Sequence, residues 1–375
     1  MKIGGAWLDH LGTQGLCKAL AEGGAMALFV GGCVRNALMG VEVNDIDIAT
    51  DARPETVTNL AERAGFKVVP TGFDHGTVTV IAKGVAHEVT TLRRDVETDG
   101  RHAVVAFSTS VNEDAARRDF TMNALYAQAD GTVVDPLGGL PDLLARRVRF
   151  VGNAEQRITE DYLRILRFFR FFAWYGDPAQ GLDAEGLAAC AAHSAGLETL
   201  SRERVGAELK KLFSATDPSM AVASMAQTGV LAAALPGADA RALPILVHLG
   251  GRDWLARLAV IGGDFDSLRL SCADLAQVRL IRAELATMRG AAELAYRFGA
   301  AVAEAVILGR SAMLETDPPP NWRTEVQRGI DAVFPVAAAD LMPRLQGKAL
   351  GDALRDAEQR WIDSGFALTK ADLLG

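Results

Sequence analysis

The chain has 375 residues, 49% of them hydrophobic, which is enough for two to four domains with sizeable cores. Its 47 acidic against 39 basic side chains give a net charge of −8, which excludes broad, non-specific nucleic-acid binding and requires any polyanion to meet a local basic surface. Four scattered cysteines (Cys17, Cys33, Cys190, Cys272) without a CxxC pair, apolar stretches too short for a membrane span, and an opening "MKIGGAWLDHLGTQGL" without a signal-like core predict a reduced, soluble, cytoplasmic protein with no membrane contact.

Between residues 26 and 134 the sequence offers short β-rich runs: "AMALFV", "DIDIAT", "GTVTVIA", "VAHEVTT", "MNALYAQ" and "TVVDP". Turn residues and one helix pattern, "RPETVTNLAERAG", separate them. These runs predict an α+β head built on a sheet. From about residue 151 the strand signals stop. Ala/Leu-rich helical periodicity then continues through "ITEDYLRILRFFRFFAWYG", "SRERVGAELKKLFSA", "DPSMAVASMAQTGVLAAAL" and "ALGDALRDAEQRWIDSGF", so the remainder is expected to be all α. The best linker candidate is "ETDPPPNW", residues 315 to 322, because consecutive prolines cannot continue a helix.

Chemistry concentrates first in "FVGGCVRNALMGVEVNDIDIAT", residues 29 to 50. An apolar strand running into Gly31-Gly32 and a helix start presents backbone N–H groups and the positive end of a helix dipole, a place suited to phosphate. Arg35, on the first turn of that helix, adds a charged donor. Asp45 and Asp47, at i and i+2 of a strand, aim two carboxylates from one face while Ile46 turns into the core. Like charges held that close favour a cation between them, and hard carboxylate oxygens suit Mg²⁺. Glu88 in "VAHEVTT" is a candidate third carboxylate. Each motif alone also fits a plainer reading: a structural turn, a solvated strand end, an ordinary solvent-facing Glu88.

Residues 146 to 170 carry seven arginines against three acids, a basic patch that answers the charge objection to an RNA partner. Within it Asp161, Arg164, Arg167 and Arg170 recur every third residue and predict a stripe along one helix side, with Leu163, Leu166 and Phe169 facing the core. The stripe fits an anion-binding surface. It equally fits an intrahelical Asp161–Arg164 ion pair worth about 0.2–0.5 kcal/mol, with solvated arginines beside it. In "SRERVGAELKKLF", Ser201 is an expected N-cap, and Arg202, Arg204, Lys210 and Lys211 are candidate contacts to RNA phosphates.

Four blocks in this order, "LFVGGCVRNALMG" with "NDIDIAT", "HGTVTVIAKGVAHEVTTLRRD", "RRDFTMNALYAQADGTVVDPLGGLPDLLARRVRFVG" and "ITEDYLRILRFFRF", resemble a known family. It is that of the class II tRNA nucleotidyltransferases and bacterial poly(A) polymerases, polymerase-β-like nucleotidyltransferases. The resemblance is close over residues 26 to about 215 and loose beyond. It implies a catalytic head (1–150), a helical neck that recognises the nucleotide (151–215), and a helical body and tail that bind tRNA (216–375). It implies Asp45 and Asp47 as the Mg²⁺ pair, and Gly32, Arg35, Arg118, Arg167 and Arg170 around the triphosphate, with Asp119 and Asn123 ordering the pocket. Asp161 and Arg164 would act as a protein template for the incoming base. Cytosine and adenine each present an amino donor beside a ring-nitrogen acceptor, which a carboxylate and a guanidinium complement, whereas uracil and guanine present the reverse pattern.

The activity so implied is addition of C, C and A to the tRNA 3′ end from CTP and ATP, releasing pyrophosphate without a nucleic-acid template. The polar stretch 93–107, expected as a loop between two strands, resembles the loop with which full CCA-adding members switch from C to A. The alternatives are a poly(A) polymerase, a CC-only or A-only enzyme, or a non-catalytic RNA-binding relative. Six histidines (10, 75, 87, 102, 193, 248) include no His-Asp pair, so the phosphohydrolase activity of some members is not expected, and His75 is expected to order structure rather than bind metal. One departure stands out: the family pattern usually reads Val-Arg-Asp where this chain has Val34-Arg35-Asn36.

Overall fold

The run Thr77–Ala82 turns Thr77 and Thr79 outward and buries Val78, Val80 and Ala82 completely, the period-2 alternation of a sheet with one covered face. A computed structural model describes residues 1–99, 102–342 and 344–375, with backbone alone at 74, 95–99 and 102–105. The strands are β1 (Leu28–Val30), β2 (Ile46–Thr50), β3 (Lys67–Gly72), β4 (Thr77–Ala82), β5 (Val85–Thr91), β6 (Arg93–Asp99), β7 (His102–Phe107), β8 (Tyr126–Ala127) and β9 (Val133–Val134). Seven of them form one mixed sheet in the order β3-β4-β5-β2-β1-β8-β9, with β2 and β5 parallel and the other neighbours antiparallel. The expected α+β head is therefore present, with β2 at the centre of its sheet. Beyond Val134 no described residue belongs to a strand element, as the switch in periodicity predicts.

Two local expectations need correction. The segment 93–107 is not a loop between strands: β6 and β7 are themselves an antiparallel pair, with a register shift between Asp95 and Glu97, and residues 100 and 101 lie outside the described residues. Strand β3 gave no signal because Pro70 interrupts it. It survives as an edge strand, where a missing N–H does no harm, and its register shifts between Val69 and Gly72 around that proline.

The chain divides into two compact units, Met1–Pro236 and Gly237–Gly375, so the expected boundaries at 150 and 215 both fall inside the first. In the first, the helix Leu163–Tyr175 buries Leu163, Leu166 and Phe169 as expected, and also Ile165, Phe168, Phe171 and Phe172. Phe168 stacks on Phe150 at 5.4 Å between ring centroids, and Phe150 lies 5.0 Å from Phe120, an aromatic seam that ties this helix to the end of the head.

Among its described residues the second unit's elements are all helices. Its helix Ala300–Leu314 buries Val302, Ala303, Val306, Leu308 and Ala312. The prolines of 315–322 join this helix to the helix Trp322–Asp331, which packs against it, so "ETDPPPNW" is a turn inside one unit and not a linker between domains. Gly329 lets the helices Ala291–Phe298 and Trp322–Asp331 touch, since a Cβ there would stand 2.0 Å from the Ala292 carbonyl oxygen. Helices Gly347–Asp363 and Lys370–Leu374 pair through Trp361, Ile362, Leu373 and Leu374. No described helix is long and apolar enough to cross a membrane.

Candidate active site

β1 ends in the turn that the sequence predicts. Gly31 adopts φ 69°, ψ −118°, a conformation only glycine enters without strain, and the helix Gly32–Met39 starts directly after it. Arg118 lies against this turn: a Cβ on Gly31 would meet its Nη1 at 3.3 Å. Its Nε and Nη2 are held by Asp114 Oδ2 (3.3 and 2.9 Å), and Nε also by the Tyr126 hydroxyl at 3.2 Å. Burial alone would lower the Arg118 pKa, but Tyr126 and Asp114 together raise it, so its charge is fixed. Asp114, 1% exposed, also takes Arg117 at 2.6 Å and the Tyr126 hydroxyl at 2.7 Å, and although burial opposes it, the two arginines hold its carboxyl down at about 2. The i−3 and i−4 spacing in "EDAARRD" is the signal that could have found this residue. Asp114→Ala strips two inward-turned arginines of their counter-charge and is expected to destabilise the fold by about 3–5 kcal/mol, measured by urea unfolding.

Asp45 lies just ahead of β2, exposed, and Asp47 lies in it, half-buried, with Ile46 between them buried as expected. Asp47 is the register partner of Glu88 on parallel β5, and neighbouring strands stand about 4.8 Å apart, so their carboxylates lie side by side. Burial, then the Glu88 and Asp45 charges, push the Asp47 carboxyl up from its ordinary 3.8 to about 6 against the opposing pull of Arg118. Among the described residues no group of three Asp, Glu, His or Cys stands in metal-ligating geometry. The oxygen donors present, and the reluctance of Asp47 to ionise without a nearby cation, nonetheless fit a hard divalent ion at the Asp45–Asp47 pair.

The neck residues are arranged differently from the predicted stripe. The helical pattern breaks into Ala154–Glu160 and Leu163–Tyr175, and Asp161 between them is extended, with φ −155° and ψ 103°. Only Arg164, Arg167 and Arg170 therefore share a helix, and Asp161 does not pair with Arg164. Arg164 is forked by Glu160 at 2.5 Å, a further i,i+4 pair that sequence spacing could have flagged, and by the carbonyl of Arg157 at 2.7 Å. The Asp161 carboxylate accepts from the Leu163 amide at 3.1 Å and from Arg204 Nη2 at 2.7 Å, so Arg204, expected at RNA phosphates, stands beside Asp161 instead.

Arg167 binds Asp119 Oδ2 through Nε at 2.8 Å, and Asn123 donates to Asp119 Oδ1 at 2.9 Å, so Asp119 and Asn123 do sit together. Arg170 is held by Glu208 at 2.5 Å, a partner 38 positions away that no local spacing signals. Ser201 occupies the N-cap position of Arg202–Phe213, but its side chain makes no capping bond. Arg35 is 6% exposed: its Nη1 donates to Asn123 Oδ1 at 2.6 Å, its Nη2 to Asn36 Oδ1 and the Tyr175 hydroxyl at 2.9 and 2.8 Å, and the Tyr175 ring lies 3.9 Å from its Cζ. Its donors face the head's interior and the helix Leu163–Tyr175.

Comparison with known proteins finds matches in sequence and in fold. A family profile described as "Poly A polymerase head domain" matches residues 27–149, and one described as "Probable RNA and SrmB- binding site of polymerase A" matches residues 182–241. The human mitochondrial CCA tRNA nucleotidyltransferase 1 is 44% identical over 223 residues, covering 57% of this chain and 50% of that protein. A CCA-adding enzyme of Levilactobacillus brevis is 39% identical over 230 residues, covering 60% and 56%. The chain thus spans about half the length of these relatives. The crystal structure of a Bacillus stearothermophilus CCA-adding enzyme in complex with CTP superposes with a TM-score of 0.76 at 29% identity, over 94% of this chain and 92% of that one. A Thermotoga maritima CCA-adding enzyme complexed with tRNA shares the fold at a TM-score of 0.72 and 20% identity, over 96% of this chain and 92% of that one. By its two matched regions and its sequence relatives the chain is similar to poly(A) polymerases and CCA-adding enzymes, and it shares the fold of solved CCA-adding enzymes.

Proposed function

We propose that this protein is a cytoplasmic CCA-adding nucleotidyltransferase that extends tRNA 3′ ends with C, C and A from CTP and ATP, without a nucleic-acid template. The observation that supports the reading is Asp47, paired in register with Glu88 and within the electrostatic reach of Asp45 and of Arg118, the guanidinium that lies against the Gly31 turn: carboxylates suited to a cation next to a turn suited to a phosphate. Asp45 and Asp47 would hold Mg²⁺, which when bound lowers the pKa of the attacking tRNA hydroxyl and neutralises charge on the triphosphate. Glu88, across from Asp47, adds negative charge that keeps the pair selective for a cation.

The N-terminal amides of the helix Gly32–Met39 and the Arg118 guanidinium orient the phosphates, and Arg167 and Arg170, anchored by Asp119 and Glu208, extend that positive wall. Arg35 supports the same wall from behind. Asp161 would accept the base's amino hydrogen and Arg164 would donate to its ring nitrogen or carbonyl, with Arg204 and Glu160 holding the two in place. The antiparallel pair β6–β7 would serve the switch from C to A. In this reading residues 1–150 are the catalytic head, 151–215 select the nucleotide, and 216–375 grip tRNA.

The test is incubation with Mg²⁺ and tRNA transcripts ending at the discriminator base, at C, at CC and at CCA, each with CTP, ATP or both. Growth to CCA followed by a halt is the expected result. A product stopping at CC, extension of CC ends only, or a long A tail would assign one of the sister activities, and no incorporation in any reaction would contradict the catalytic reading.

A further inference from the structure

Arg35 is a buried cation whose direct hydrogen-bond acceptors are all neutral: Asn123 Oδ1, Tyr175 Oη and Asn36 Oδ1. Asn36 Oδ1 accepts two of its N–H groups, from Nε at 3.2 Å and Nη2 at 2.9 Å, and this fork fixes which way the amide points. Its Nδ2 consequently faces the other way and donates to the Glu42 carbonyl at 3.0 Å. The Asn36 backbone carbonyl binds the same segment, accepting from the Val41 amide at 2.9 Å, while Gly40 turns the chain in the left-handed conformation at φ 67°. Glu42 stands three residues before Asp45. One side chain therefore ties the guanidinium network to the segment that carries the first carboxylate of the site.

We infer that Asn36 is a positioning residue for Asp45, its amide bracing the 40–44 segment so that Asp45 meets a divalent cation beside Asp47. The inference rests on the proposed role of Asp45 as a cation ligand. An aspartate at this position could still accept from Arg35, and would pair with its charge, but it has no N–H for Glu42 and would set a negative oxygen against that carbonyl. The amide thus exchanges an ion pair with Arg35 for a grip on the Asp45 segment. A carboxylate acting through charge alone would tighten cation binding, whereas loss of the brace weakens it, so the two effects have opposite signs.

The experiment measures Mn²⁺ binding by the full chain, following free Mn²⁺ by electron paramagnetic resonance, for the wild type, Asn36→Asp, Asn36→Ala and Asp45→Ala. Expected are Mn²⁺ affinities about tenfold weaker in both Asn36 variants, the size usual for groups that orient metal ligands, with the melting temperature of Asn36→Asp no lower than that of the wild type. Affinity equal to or tighter than wild type in Asn36→Asp, with Asp45→Ala clearly weakened, would overturn this inference alone. Wild-type affinity in Asp45→Ala would overturn the cation-ligand reading beneath it.

Discussion

Asp47→Asn is expected to lower nucleotidyl transfer by about a thousandfold, because the charge stabilisation supplied by a metal held at this carboxylate is worth several kcal/mol, while making the metal-free fold more stable at neutral pH. The second half follows from the site's electrostatics. The folded protein raises the Asp47 carboxyl from 3.8 to about 6 through burial and the neighbouring Glu88 and Asp45 charges. A group whose folded pKa lies above its unfolded value favours folding in its protonated form, so its contribution is greatest below about pH 4 and is lost as pH rises through about 6. Metal-free wild type should therefore lose melting temperature between about pH 4 and 6 relative to Asp47→Asn, whose amide does not titrate. Added Mg²⁺ should raise the wild-type melting temperature more at pH 7.5 than at pH 5. A variant less stable than the wild type at pH 7.5 without metal would show that Asp47 is held by something other than a vacant charge balance.

Asp161→Ala is expected to reduce the preference for CTP over UTP by about 10–100-fold, the value of one charge-assisted hydrogen bond in a site of this kind. The change should appear in the ratio of kcat/KM values, with melting temperature nearly unaltered, since Asp161 is 30% exposed and its ion pair with Arg204 contributes little. Arg164→Lys should be as damaging as Arg164→Ala for nucleotide choice. The native guanidinium spreads its nitrogens over Glu160 and the Arg157 and Arg117 carbonyls, and a single ammonium cannot hold that fan of contacts and keep a fixed plane toward a base. Unchanged discrimination in both variants would remove Asp161 and Arg164 from base selection.

Much of the head was legible because its physics is local. The alternation in "GTVTVIA", the glycine pair after an apolar run and the i, i+2 aspartates each specify geometry within a few residues. What failed was longer in range or hidden by a plausible pattern. The run from Ile158 to Tyr175 reads as one amphipathic helix because its apolar period is unbroken. The chain nonetheless leaves the helix at Asp161, whose carboxylate takes the Leu163 amide locally and Arg204 from another helix. The partners that fix the arginines divide the same way: Asp114 and Glu160 lie within four residues of theirs, but Glu208 pairs with Arg170 only through packing of the helices Leu163–Tyr175 and Arg202–Phe213. The surroundings of Arg35 were hidden for a related reason: its place beside a phosphate-type turn marked it as a charged donor there, and its contact with Tyr175 is visible only once the two segments, 140 positions apart, are brought together.

The most direct measurement presents all four nucleoside triphosphates at once, with Mg²⁺, to a tRNA transcript lacking its last three residues, and sequences the 3′ ends at single-molecule depth. Ends reading CCA, with neither U nor G and no further growth, are expected from the wild type, and unextended ends from Asp47→Asn. Homopolymeric A tails, indiscriminate incorporation, or equal extension by Asp47→Asn would contradict a template built from Asp161 and Arg164 serving a metal-dependent site at Asp45 and Asp47.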